Sequence, residues 1–221
     1  MKWKQRIKEA TKVRKIQQYI LGTVFIVLLV AGWYLPLIGY FIPLCMLAGV
    51  GMATVRGRQW CNWYCPRGSF ADTYLKLISP GKPIPQLLKS TPFRIGVLTF
   101  LIAMLTLQIV RLWPDGFAIG GFFIILLTVT TVVGIVLSFI YHQRSWCYIC
   151  PIGSLSSWVG KNKHQLTMDS DACIDCKACS KTCPMQLAPV EMKEAGEMQY
   201  KGDCLKCGLC VATCPKDALS F

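Results

Sequence analysis

The chain has 221 residues, 53% of them hydrophobic and 16% charged, with a formal net charge of +13. A soluble globular domain carries about 25% charged residues, and a disordered chain is far less apolar. Both are excluded, and the composition points to a small integral membrane protein. Nucleic acid is not the partner that the bases suggest, because they are placed as a membrane-orientation signal: seven Lys/Arg lie from Lys2 to Lys15 and seven from Arg56 to Arg94.

Residues 1–16 read as a basic segment, with no small-residue cleavage site after it. From Ile16 to Val55, 40 residues carry no charge, about twice what one crossing needs. Pro36, Gly39 and Pro43 interrupt the middle. The pattern predicts two spans, 17–35 and 37–55, joined by a tight turn; a single span with a re-entrant segment is the alternative, and the charges oppose it. Further spans are predicted at 93–112 and 120–141. Trp113 to Gly116 forms the turn between them, with Trp113 as an interfacial anchor. Four spans, within a membrane domain at 17–164, put both termini on one side. All the Lys/Arg except Arg111 fall on that side, which the positive-inside bias makes the cytoplasm. The loop after Val55 carries a short interfacial helix at 66–78 and a turn-rich linker from Ser79 to Pro85.

The composition changes abruptly at about residue 165. The stretch 165–221 holds eight acids, six bases and eight of the 13 cysteines, and reads as a second, soluble domain on the cytoplasmic side. In a reducing compartment cysteines ligate rather than form disulfides. The tail reads C-x2-C-x2-C-x3-C-P twice: Cys173, Cys176, Cys179, Cys183, Pro184, then Cys204, Cys207, Cys210, Cys214, Pro215. Three thiolates spaced in this way wrap one face of a [4Fe–4S] cube, and the fourth reaches the other cube. One cluster is therefore assigned to Cys173, Cys176, Cys179 and Cys214, and the other to Cys204, Cys207, Cys210 and Cys183. Zinc does not account for the third cysteine and the Cys-Pro, twice over. The segment resembles a bacterial two-cluster ferredoxin, which implies two short helices between small hairpins.

A second repeat lies in the apolar half. Arg58, Trp60, Cys61, Cys65, Pro66, Gly68 and Ser69 (motif 58–70) align with Arg144, Trp146, Cys147, Cys150, Pro151, Gly153 and Ser154 (motif 144–155). Each copy follows a helical hairpin, so the membrane domain reads as two pseudo-repeated hairpins. Their symmetry axis brings Cys61, Cys65, Cys147 and Cys150 together, which suits a third iron–sulfur cluster at the membrane edge. A copper-handling or redox-active thiol site and a purely structural role are the alternatives. Pro66 and Pro151 are expected to start short helices, and Gly68 and Gly153 to allow close packing.

Over nearly its whole length the chain resembles the NapH/NosR-type membrane polyferredoxins. The resemblance implies a mainly α membrane protein of four transmembrane helices plus a small α+β two-[4Fe–4S] ferredoxin domain. It also implies quinol oxidation and exchange of electrons with other redox subunits. The second Cys-Pro pair departs from the family by having two intervening residues instead of three. The function expected is an electron-transfer subunit of a quinol dehydrogenase-like respiratory complex in the inner membrane, in contact with membrane lipid. It relays electrons between the quinone pool or a membrane partner and a redox partner, and no residue is assigned a catalytic role. The alternative is an assembly factor that reduces copper through the Cys-Pro motifs. Haem is not expected, because the two histidines, His142 and His164, lie outside the spans. Cys45 is read as a small apolar residue, and Trp60 and Trp146 as interfacial anchors or as the lining of a cofactor pocket. Arg58 and Arg144 either offset cluster charge or simply mark the positive side. His142 is a structural residue or a proton acceptor, and Arg111 and Asp115 belong to a solvated loop or an outer quinone site.

Overall fold

The computed structural model describes the backbone of residues 2–221 and the side chains of Glu9 and of residues 12–221. Helix α1 (Lys2–Tyr34) is continuous. The basic segment expected as a separate stretch at 1–16 is therefore, from Lys2 on, the first half of the first long helix. Its Lys, Arg, Gln and Ala residues are good helix formers, and neither Gly nor Pro occurs before Gly22. Pro36 opens a 3-10 turn (Pro36–Tyr40) that feeds α2 (Phe41–Arg56). Pro43 falls in the first turn of α2, where its missing N–H costs nothing. At 16 residues α2 is about 24 Å long, and the turn adds about 10 Å, so together they reach the ~30 Å of a bilayer core.

The first Cys-Pro motif folds as α3 (Trp60–Trp63) and α4 (Pro66–Thr73). Then come α5 (Gln86–Lys89) and the two remaining long helices, α6 (Thr91–Leu112) and α7 (Gly116–Ile140). Helix α7 starts four residues before the expected 120. The side chain of Asp115 caps it, accepting from the N–H groups of Phe117 at 2.9 Å and Ala118 at 3.1 Å. Asp115 is thus a helix cap. The second motif forms α8 (Trp146–Ile149) and α9 (Pro151–Val159). Pro66 and Pro151 stand in the first turns of α4 and α9, as expected. Among the described residues, four stretches are long and apolar enough to cross a membrane: Lys12–Tyr34, Pro36–Leu77, Thr91–Leu112 and Gly116–Ile140.

The 66–78 segment does not lie free as an interfacial helix. Helix α4 packs along α1: the rings of Phe25 and Phe70 are 5.3 Å apart, and the hydroxyls of Thr23 and Tyr74 are 2.9 Å apart. A Cβ on Gly22 would sit 3.2 Å from the Phe70 backbone, so the helices meet at near backbone contact.

The tail carries α10 (Ala178–Thr182), α11 (Met192–Ala195) and α12 (Leu209–Thr213). Strands β1 (Thr167–Met168) and β2 (Leu219–Ser220) pair antiparallel, with Thr167 opposite Ser220. The resemblance implied hairpins. Among the described residues there is instead this one ladder, which ties the start of the tail to its end. The intervening chain is taken up by cysteine loops, with positive φ at Asp175, Lys177, Lys206 and Gly208.

The tail is not held by a tether alone. Cys61, Ile84, Leu88, Tyr148 and Ile149 share one buried core with Met185, Leu187, Met198 and Leu205. The linker docks too: Ile84 donates its N–H to the Gln186 side chain at 2.9 Å, and Gln186 donates back to the Lys82 carbonyl at 3.0 Å.

Candidate iron–sulfur centres

None of the 13 cysteines is in a disulfide. The tail cysteines sort into two cavities. One is lined by Cys173, Cys176, Cys179 and Cys214, the other by Cys183, Cys204, Cys207 and Cys210. The fourth cysteine of each run therefore crosses to the other run's cavity. Short helices α10 and α12 make this possible: each holds the third cysteine of its run and ends just before the fourth. Burial pushes the Cys183 thiol up to about 12, so a bare thiol there is inert, whereas iron takes the same sulfur as thiolate.

The two Cys-Pro motifs also meet. Cys61, Cys65, Cys147 and Cys150 line a single cavity together with Trp60 and Trp146. The join is reciprocal. Arg144 donates from Nη1 to the Cys61 carbonyl at 3.1 Å, and Arg58 donates from Nη2 to the Cys147 carbonyl. Each motif's arginine thus holds the first cysteine of the other motif, as a pseudo-two-fold repeat requires. Gly68 and Gly153 make room for the crossing: a Cβ would lie 2.8 Å from the Cys61 oxygen in one case and 2.6 Å from the Cys147 oxygen in the other.

These arginines are not solvated positive-side charges. Arg58 and Arg144 are at most 1% exposed. Arg144 donates twice to Asp72, at 2.8 and 2.7 Å, and Arg14 reaches the same carboxylate at 2.6 Å. Arg58 donates to Asp203 at 2.6 Å, and Arg94 does so at 2.9 and 3.1 Å. Two Arg–Asp–Arg triads therefore flank the site, one closed within the apolar half, with Arg14 partly exposed, and the other fully buried and closed by a tail residue. A fifth arginine, Arg67, lies over the Trp146 ring at 4.5 Å and donates to the Thr130 backbone and hydroxyl. Trp146 consequently packs at the site and not as an interfacial anchor.

Asp72, Asp203, Arg67 and Arg94 escaped the sequence reading. A signal existed for one of them. Between Glu9 and Asp169 the chain has only two acids, Asp72 and Asp115, and an isolated carboxylate among bases is a natural hub for buried arginines. His142 is 8% exposed and accepts the Arg144 N–H at Nδ1, 3.2 Å away. Burial pushes it down to about 4, so it is a neutral turn-forming residue at physiological pH. His164 stacks on Phe221 at 5.1 Å.

A fourth, apolar cavity of about 170 Å³ opens between the long helices. Phe25, Cys45, Leu105 and Leu127 line it, as do Cys65, Arg67, Trp146 and Cys150. It shares the last four residues with the Cys-Pro cavity.

Comparison with known proteins agrees with this division. A 4Fe-4S binding domain family matches twice, at 38–85 and 117–166, so the internal repeat is visible at family level. A 4Fe-4S dicluster domain family matches residues 172–219. An uncharacterized protein of Methanocaldococcus jannaschii is 28% identical, covering 95% of this chain and 86% of its own. The methylamine utilization ferredoxin-type protein MauN of Paracoccus denitrificans is 29% identical over 79% of this chain and 65% of its own. The ferredoxin-type protein NapH of Haemophilus influenzae is 24% identical over 76% and 63%. No solved structure matches. With four long apolar helices, paired Cys-Pro motifs and a dicluster tail, the chain is an iron–sulfur electron-transfer protein similar to the NapH-type polyferredoxins.

Proposed function

We propose that the chain is a quinone-linked relay of three iron–sulfur centres within a larger respiratory redox complex. Cys173, Cys176, Cys179 and Cys214 hold one [4Fe–4S] cluster, and Cys183, Cys204, Cys207 and Cys210 hold a second. Cys61, Cys65, Cys147 and Cys150 hold a third. The clusters supply one-electron carriers when bound; the protein supplies their ligands, burial and fixed charge. The tail, 165–221, lies on the cytoplasmic side of the inner membrane in this reading, which the positive-inside bias of the basic residues supports.

One observation carries the third centre. Four buried polar atoms have no hydrogen-bond partner among the described residues: Arg58 Nε, Asn62 Nδ2, Ser69 Oγ and Trp146 Nε1. All belong to the two Cys-Pro motifs, and two of the residues, Arg58 and Trp146, line the Cys-Pro cavity itself. Buried donors without partners are rare and call for an acceptor, and the sulfurs of a cluster are acceptors. Charge argues the same way. The five arginines around the site face two aspartates, a surplus of three positive charges that is costly when buried. A cluster held by four thiolates is an anion and offsets it. Single-ion sites are a different matter: among the described residues no three His, Cys, Asp or Glu converge closely enough to hold one metal ion. Thiolates on a cube each bind a different iron and stand further apart.

The apolar cavity fits the quinone part of the reading. It is lined almost wholly by hydrocarbon, and two of the Cys-Pro cysteines, Cys65 and Cys150, stand in its wall. Arg67 and Thr130 supply polar groups to that wall. Small-molecule sites have this composition.

The test is anaerobic iron and acid-labile sulfide per chain, for wild type and for Cys61/Cys65/Cys147/Cys150→Ser. Two cubes hold about eight irons and a third cube adds about four. Wild type is expected near twelve and the variant near eight. Equal values near eight would remove the third centre. Reduction of the wild-type clusters by a short-chain quinol is expected, and its absence would remove the quinone link.

A further inference from the structure

We infer that the three cysteine sets stand in a fixed line. The Cys183/Cys204/Cys207/Cys210 set is in the middle, and the loop from Cys173 to Lys177 is the edge open to a water-soluble redox partner. This rests on the proposed three-centre reading and adds order and direction to it.

The order follows from which buried residues pack together. Cys61 and Cys147 share a core with Cys183, Cys204 and Cys207. Cys210 instead joins a second core with Cys179, Leu166, Leu219 and Cys214. The Cys183/204/207/210 set thus has members in both cores. No cysteine of the Cys173 set is in the first core, and no Cys-Pro cysteine is in the second. A set that touches both neighbours while the neighbours do not touch each other lies between them.

The first junction is buried and hydrogen-bonded. Tyr148, next to Cys147 in the chain, is fully buried, and its hydroxyl donates to the Met185 carbonyl at 2.6 Å. Met185 is itself fully buried and lies two residues after Cys183. A covalent and hydrogen-bonded path therefore runs from Cys147 through the Tyr148 ring to Met185, Pro184 and Cys183. Asp203 fixes the other flank of this junction: it is bonded to Arg58 and Arg94 and is followed directly by Cys204.

The far end is open. Cys176 is the only one of the twelve motif cysteines that is exposed. Its neighbour Ile174 is 57% exposed, and Asp175 and Lys177 are exposed on either side of the cysteine. Cysteines of the other two sets are buried or half-buried. Among the described residues, this edge brings a motif cysteine nearest to a soluble redox protein.

The test uses the full-length chain in detergent, reduced anaerobically, and reads electron paramagnetic resonance instead of turnover. Spin–spin splitting reports neighbouring clusters, and a water-soluble dysprosium chelate speeds relaxation of clusters near solvent. Wild type is expected to show splitting and one chelate-sensitive signal. Cys173→Ala/Cys176→Ala should lose the chelate-sensitive signal and keep the splitting between the two remaining clusters. Cys204→Ala/Cys207→Ala should lose all splitting and keep the chelate-sensitive signal. If the first variant loses its splitting, or the second keeps it, the order is overturned. Retention of the chelate effect without the Cys173 set overturns the open edge. If the second does not accumulate, Cys61→Ala/Cys147→Ala takes its place: it should keep the splitting between the two tail clusters, and its loss overturns the order. Failure of the three-centre reading looks different: wild-type iron near eight, with no change on replacing the Cys-Pro cysteines.

Discussion

Replacing Asp203 with Asn tests whether the tail is locked to the apolar half by charge. Asp203 is 1% exposed and bonds two guanidinium groups, with side-chain exposures of 0% for Arg58 and 3% for Arg94. The amide is nearly isosteric with the carboxylate, so packing survives. It offers one acceptor in place of two anionic oxygens, and turns an N–H pair toward cations. Removing one partner of a buried ion pair costs about 3–5 kcal/mol, because the other charge stays buried and unpaired. For a chain of this size each kcal/mol is about 2–4 °C in Tm, so the loss is roughly 6–20 °C. The assay is thermal unfolding of the iron-loaded protein in detergent, with hydrogen exchange to place the change at residues 58–61 and 201–207. Glu197→Gln is the control. Glu197 pairs with Lys201 at 2.7 Å in solvent, where such pairs contribute little. If Asp203→Asn shifts Tm no more than Glu197→Gln does, the buried triad does not hold the tail and the reasoning is wrong.

Other substitutions probe the site itself. Gly153→Ala puts a methyl 2.5 Å from Arg58 Nη2 and 2.6 Å from the Cys147 oxygen. It should lower iron by about four per chain while the tail clusters keep their spectra; full iron content would show that the crossing tolerates the shift. Leu127→Trp fills the apolar cavity at a residue that does not line the Cys-Pro cavity. It should abolish quinol-dependent reduction with iron content and dithionite reduction unchanged, and persistence of the quinol response would move the quinone elsewhere. His142, held neutral by burial and facing Asp72, Arg144, Lys76 and Lys89, titrates at about 4 in the fold against an ordinary 6.5. The unfolded chain binds the proton first as pH falls, so stability is full above about 6.5 and declines as pH falls toward 4. The fall in Tm between pH 7 and 5.5 should be smaller in His142→Gln than in wild type, and an equal fall would exclude His142 as its source.

Local pattern settled much of this protein. Charge-free runs, Pro36 and the Trp113–Gly116 turn located four long helices, because span length and helix breaking are properties of short segments. The spacing of Cys173, Cys176 and Cys179, with a fourth cysteine and a proline, named iron–sulfur chemistry for the same reason. The repeat of Arg58 to Ser69 in Arg144 to Ser154 announced two matching sites. Helix ends were less legible. Met1 lies outside the described residues, but from Lys2 the basic segment proved helical, and Asp115 moved the start of α7 by four residues through a cap that depends on backbone geometry.

What the tertiary structure alone decided is how separated residues share space. Arg58 and Arg144 read in sequence either as counter-charges to a cluster or as orientation charges, because a positive-inside count treats every base alike. Only the fold shows that each is buried and reaches across to the other motif's cysteine, with Asp203 arriving from 145 positions away in sequence. The split of Cys210 from Cys183, Cys204 and Cys207 between two cores is likewise invisible to spacing. A sequence motif records which ligands belong to one loop. Which loops face each other, and in what order, is fixed by the packing of side chains distant in the chain.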